Sequence, residues 1–138
     1  MSVPRAKDLI ASSLAGTPYL ARALELLDVA ERGDSTESCA VWAERDGAVH
    51  AVALVGLVAG AVGAGKIHLV LGDDRHVVAR ACDVLRALGA RFAIAEWPDD
   101  PPFTASMTVL REEGFVEEAR IPDFYRPGVA LLFLRRDL

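Results

Sequence analysis

The chain has 138 residues, of which 52% are hydrophobic and 25% charged, enough for one domain around one core and too apolar for a disordered segment. A net charge of -5 gives no support to nucleic acid or an anionic membrane as partner. The two cysteines, Cys39 and Cys82, are too few for a disulfide framework and read as buried, reduced thiols.

The N-terminal MSVPRAKDLI lacks the apolar run of a signal peptide. The apolar stretch 48–62 is broken by Gly56 and Gly60 and is shorter than the ~20 residues of a membrane helix. A buried strand and turn are expected there, in a cytoplasmic protein.

In chain order, residues 4–14 predict a short helix with Pro4 in its first turn. Gly16–Thr17–Pro18 ends it. Thr17 is placed to cap a second helix running to Gly33, with Leu20, Ala23, Leu24, Leu27 and Ala30 on its packed face. Residues 39–45 predict a strand, Asp46–Gly47 a hairpin turn, and 48–58 the return strand. A small-residue loop, 59–65, leads to a third strand at 66–71. Asp73 or Asp74 is placed to cap a helix closing on Gly89. Residues 91–96 are apolar on both faces at their middle, as in a central strand.

After the PDDPP loop, residues 103–113 predict a helix ending at Gly114. Phe115, Glu117, Ala119 and Ile121 then alternate with Val116, Glu118 and Arg120 across one strand. Pro122 and Pro127–Gly128 punctuate, and an apolar strand from Val129 to Leu134 closes the chain. The order is α-α-β-β-β-α-β-α-β-β, an α/β or α+β layer domain spanning residues 1–138. GAGK at 63–66 is only a fragment of a P-loop, without the Ser/Thr after Lys66 or a following helix.

The C-terminal run REEGFVEEARIPDFYRPGVALLFLRRDL (111–138) resembles the end of the GNAT superfamily of acetyltransferases, where a helix closing on Gly-Phe leads into two antiparallel strands. AERDGAV (43–49) and RALGARFAIAE (86–96) are similar to that family's first hairpin and its helix-to-strand step. The resemblance implies a mixed, mostly antiparallel sheet flanked by helices. A GNAT domain usually has a further strand before its first helices. None is legible in residues 1–16, so that edge is expected to be missing or supplied by a partner chain.

The resemblance also implies acetyl-CoA as cofactor, held between the parallel strands 66–71 and 91–96. Backbone groups of Leu69, Val70 and Leu71 would bond the thioester and pantetheine. The pyrophosphate motif, Arg/Gln-x-x-Gly-x-Gly/Ala, aligns with His76-Val77-Val78-Ala79-Arg80-Ala81. Ala81 satisfies its last position, while His76 and Ala79 depart from it. Were position 79 to need φ > 0, alanine would cost on the order of 1 kcal/mol. β-Branched Val77 and Val78 are unhelpful in a loop that wraps phosphate. The tyrosine that the family often places in the last helix, able to protonate the leaving thiolate, is replaced by Leu110, after Val109.

Glu96 is the candidate general base, at the C-terminal end of a central strand; a carboxylate capping the next loop is the competing reading. Tyr125, the only tyrosine of the C-terminal half, is a candidate proton donor, also readable as an anchoring ring. His68 reads as a packing residue, His50 as a surface one, and Asp99 and Asp100 as parts of a polar loop. Two expectations follow. One is an N-acetyltransferase acting on a small amine or amino-acid-like acceptor. The other is a catalytically inactive module that binds a ligand or forms a homodimer.

Overall fold

A computed structural model describes residues 3–33, 35–72 and 74–138. Helices α1 (Val3–Ser13) and α2 (Leu20–Arg32) precede strands β1 (Cys39–Arg45), β2 (Ala48–Leu57) and β3 (Ala64–Gly72). Helix α3 (His76–Ala87), strand β4 (Phe92–Pro98), a 3-10 turn (Pro101–Phe103), helix α4 (Thr104–Glu112), and strands β5 (Val116–Arg126) and β6 (Val129–Asp137) complete the chain. The six strands form one sheet in the order β1-β2-β3-β4-β6-β5. Every neighbouring pair is antiparallel except β3 and β4, which run parallel. The sheet is flanked by four helices, as the sequence pattern implies.

The apolar spacing explains the layers. Ala6, Ile10 and Leu14 recur every fourth residue and are fully buried. On α2 the expected face packs inward, with Ala23 and Leu27 buried and Leu20, Leu24 and Ala30 half-buried against the core. Ala51 through Val55 on β2 are all fully buried, so both faces of the sheet are covered there. Asp46 and Gly47 take positive φ, 52° and 77°, the geometry of a tight hairpin turn. β4 is central between β3 and β6.

No strand lies among the described residues before β1, so β1 forms one sheet edge and β5 the other. β5 is exposed on both faces: every residue from Val116 to Arg126 is exposed, while Phe115, just before it, is buried. The strand also continues past Pro122 instead of ending there. Its register with β6 shifts twice, between Glu117 and Ala119 and between Ile121 and Arg126. No helix among the described residues is long and apolar enough to cross a membrane.

Candidate active site

The site is built where β3 and β4 part. They pair only at Ala64–Phe92, Gly65–Ala93 and Lys66–Ile94. From Ile67 onward the β4-facing edge of β3 has no strand partner, while its other edge stays paired to β2 as far as Gly72. The register with β2 jumps from Leu69–Leu54 to Ile67–Val55, leaving His68 as a bulge at the point of splaying. Beyond it opens a cleft of about 470 Å³, bordered by α2, β3, β4 and the end of β5.

Glu96 and Tyr125, far apart in sequence, both line this cleft. Glu96 is half-buried, with Lys66 Nζ 3.9 Å from its Oε2. The reading of Glu96 as a cap of the following loop is not carried: Asp99 N–H goes to the Ala130 carbonyl and Phe103 N–H to that of Asp100. Burial raises the Tyr125 phenol, and the nearby Glu96 carboxylate adds to the effect. Tyr125 therefore keeps its proton at neutral pH. Its ring also anchors, edge-on to Tyr19 at 6.2 Å and to Phe124 at 5.1 Å.

Leu69, Val70 and Leu71 are buried along the free edge of β3, and Leu69 reaches the cleft wall. Two carbonyls of this strand already have side-chain partners. The Trp97 indole donates to the Ile67 carbonyl at 3.0 Å, and the Ser106 hydroxyl, on α4, donates to that of Val70. Neither Trp97 nor Ser106 is legible as a site residue in the sequence, because the two bonds span 30 and 36 residues.

The segment aligned with the pyrophosphate motif opens helix α3 and does not form a separate loop. His76 through Ala81 lie inside α3, and Val77, Val78 and Ala81 are fully buried core residues. Ala79 has no positive φ, so the conditional strain at that position does not arise. At the helix start His76 N–H donates to Asp74 Oδ1 at 3.0 Å, and the N–H groups of Val77 and Val78 bond the Asp74 and Arg75 carbonyls at 3.2 Å. The amides that would meet an anion thus have internal acceptors. Arg80 donates to the Trp42 carbonyl, and Arg75 faces Glu112 and Glu113. Asp74 fills the capping role; Asp73, its alternative, lies outside the described residues. Leu110 is fully buried on α4, with no hydroxyl at that position.

The polar-loop reading of Asp100 is also corrected. Asp100 is buried, accepting from Tyr19 Oη at 2.7 Å and from Arg126 Nη2 at both carboxylate oxygens, 3.0 and 2.9 Å. The bond from Tyr19, together with Arg126, holds the Asp100 carboxyl below its ordinary range. Burial, then Asp100, raises the Tyr19 phenol. The network ties the start of α2 to the end of β5 across the mouth of the cleft. Asp99, its exposed neighbour, pairs with Arg120 at 2.9 Å.

His68 Nε2 lies 3.0 Å from the Glu37 carbonyl, and burial depresses its pKa. A neutral ring that donates to this carbonyl fits the packing role. The segment carrying Glu37 presses on Gly56, where an added Cβ would stand 2.1 Å from the Glu37 carbonyl oxygen. His50 is half-buried on β2 rather than at the surface. Cys82 is buried as expected, its thiol pushed up by burial, whereas Cys39 is half-buried; both are free. Among the described residues no cluster of His, Cys, Asp and Glu is arranged to hold a metal ion.

Neither a family model nor a curated protein matches the chain by sequence. Solved structures do match by fold. A Desulfovibrio desulfuricans protein described as of the GNAT acetyltransferase family superimposes with a TM-score of 0.82 at 20% identity, covering 98% of this chain and 91% of its own. The ribosomal-protein-alanine N-acetyltransferase of Brucella melitensis gives 0.73 at 18% identity, over 99% and 94%. The yncA protein of Salmonella typhimurium, solved with its cofactor acetyl-CoA, gives 0.73 at 15% identity, over 99% and 88%. The chain has the GNAT fold.

Proposed function

We propose that the protein is an acetyl-CoA-dependent N-acetyltransferase acting on a small amine. The observation that carries this reading is the parting of β3 and β4 after Lys66 and Ile94, opening beside a cleft that Glu96 and Tyr125 share. Acetyl-CoA, when bound, supplies a thioester whose C–S bond breaks as the C–N bond to the acceptor forms. Leu69, Val70 and Leu71 would offer the free backbone edge along which such a ligand lies. Glu96 would accept the proton that the amine loses as it attacks. Tyr125, held in its phenol form, would supply a proton for the departing sulfur. Positioning by the cleft wall supplies much of the rate for a thioester meeting an amine.

The pyrophosphate end fits less well. The first-turn amides of α3 are engaged by residues 74 and 75, and Arg80 is turned to Trp42. His76 through Ala81 would hold a phosphate only if Asp74 gave way. These bonds, with the Trp97 and Ser106 contacts on β3, favour a second reading: a non-catalytic GNAT-fold module that keeps the cleft but not the cofactor, or that pairs with a second copy through an open sheet edge.

Titration calorimetry with acetyl-CoA, using desulfo-CoA and ATP as controls, separates the two. Micromolar binding of acetyl-CoA supports the transferase and justifies an amine screen. No heat and no thermal stabilisation at millimolar acetyl-CoA sinks it in favour of the module.

A further inference from the structure

We infer that the cleft takes a primary ammonium on an aryl or alkyl body that carries no carboxylate. The inference deepens the transferase reading and rests on the same cleft as its acceptor site. It chooses between the simple amine and the amino-acid-like acceptor.

The wall is a run of aromatic rings. Trp97 meets Phe103 at 6.0 Å, Phe103 meets Tyr19 at 5.0 Å, and Tyr19 meets Tyr125 at 6.2 Å, all four bordering the cleft. Such a wall favours an apolar body and attracts a cation to its ring faces. The acidic group on the wall is Glu96. Lys66 stands 3.9 Å from it, at the outer limit of an ion pair, with both side chains about one-third exposed (30% and 36%). A pair that long and that exposed is weak, so an ammonium bonding Glu96 directly has little to displace.

Of the two arginines on the wall, Arg126 is already committed. Arg126 gives its Nη2 to both oxygens of buried Asp100 and its Nη1 to Tyr19. Arg22 is held only by an exposed i,i+3 pair with Glu25 at 3.1 Å, and at 71% exposure solvent screens its field on a ligand. His68 is held neutral by burial and turned to the Glu37 carbonyl. A ligand carboxylate would therefore lose its hydration for at most the exposed, solvent-screened cations Arg22 and Lys66. It would also sit near Glu96.

The test is calorimetry on the full chain, without acetyl-CoA, using 2-phenylethylamine, phenylalanine and phenylacetate. The amine should bind at least about tenfold more tightly than the amino acid, and phenylacetate should give no heat. Glu96→Gln should weaken the amine about tenfold or more, and Tyr125→Ala, at a partly exposed ring, should also weaken it. Phenylalanine binding as tightly as the amine, or full affinity in a folded Glu96→Gln protein, would overturn the inference. So would a protein that binds acetyl-CoA but no amine, and the transferase reading would then survive with another acceptor. A protein that binds the amine but not acetyl-CoA upholds the inference and removes the transferase.

Discussion

The Trp97 indole reaches across the gap between β4 and β3 and donates to the Ile67 carbonyl at 3.0 Å, one residue past the last parallel pairing at Lys66. The bond satisfies a carbonyl that has lost its strand partner, at the point where a ligand amide entering between the strands would seek it. Ser106 does the same for Val70 further along. Structure and ligand access compete for the same acceptors.

Trp97→Phe keeps a ring in the core and removes the donor. It should cost about 1–3 kcal/mol of stability by leaving a buried carbonyl unpaired, read by urea denaturation. If acetyl-CoA binds along β3, its affinity should hold or rise in this variant even as stability falls. A parallel loss of both would mean that the indole supports the ligand as well as the fold.

Asp74 caps α3 through His76 N–H. Asp74→Ala should lower stability by about 1 kcal/mol. It should also raise acetyl-CoA affinity, because an amide is freed and a negative charge leaves the helix N-terminus. Tighter binding by the less stable variant in calorimetry is the expected signature.

Ala79→Gly should not relieve strain, since Ala79 is helical. It should destabilise by about 1 kcal/mol in thermal melts, the usual cost of glycine within a helix. A stabilised variant would contradict the helical assignment of this segment.

The Tyr19–Asp100–Arg126 network sets a pH window. Asp100 has a depressed folded pKa, so its contribution is present above the ordinary carboxylate value of about 3.9 and is lost as pH falls from there through the folded value. Tyr19 has a raised one, so its contribution is present below the ordinary phenol value of about 10 and is lost as pH rises through the folded value. Asp100→Asn should therefore melt below the wild type at neutral pH and converge with it in acid. A constant gap down to acid pH would show that the carboxylate charge is not what matters.

His68 should titrate below about 6.5 when followed by NMR, because burial disfavours its charged form. Its contribution to stability is present above that ordinary value and is lost as pH falls through the folded one. His68→Gln should flatten this part of the stability profile. A midpoint above the ordinary value would refute the neutral, packed ring.

The sequence by itself determined the order of elements, the packed face of α2, the Asp46–Gly47 hairpin, the central place of β4 and the absence of a tyrosine at position 110. These rest on local periodicity, turn chemistry and residue identity, which a chain carries without its neighbours. Only the tertiary structure decided that β5 is an exposed edge and that the first amides of α3 are already bonded by Asp74 and Arg75. It alone joined Tyr19, Asp100 and Arg126 and placed Trp97 on Ile67. Hydrogen bonds and burial between segments 26 to 107 residues apart leave no periodic trace in sequence. A Tyr, an Asp or a Trp looks the same on the page whether it faces solvent or closes the mouth of a cleft.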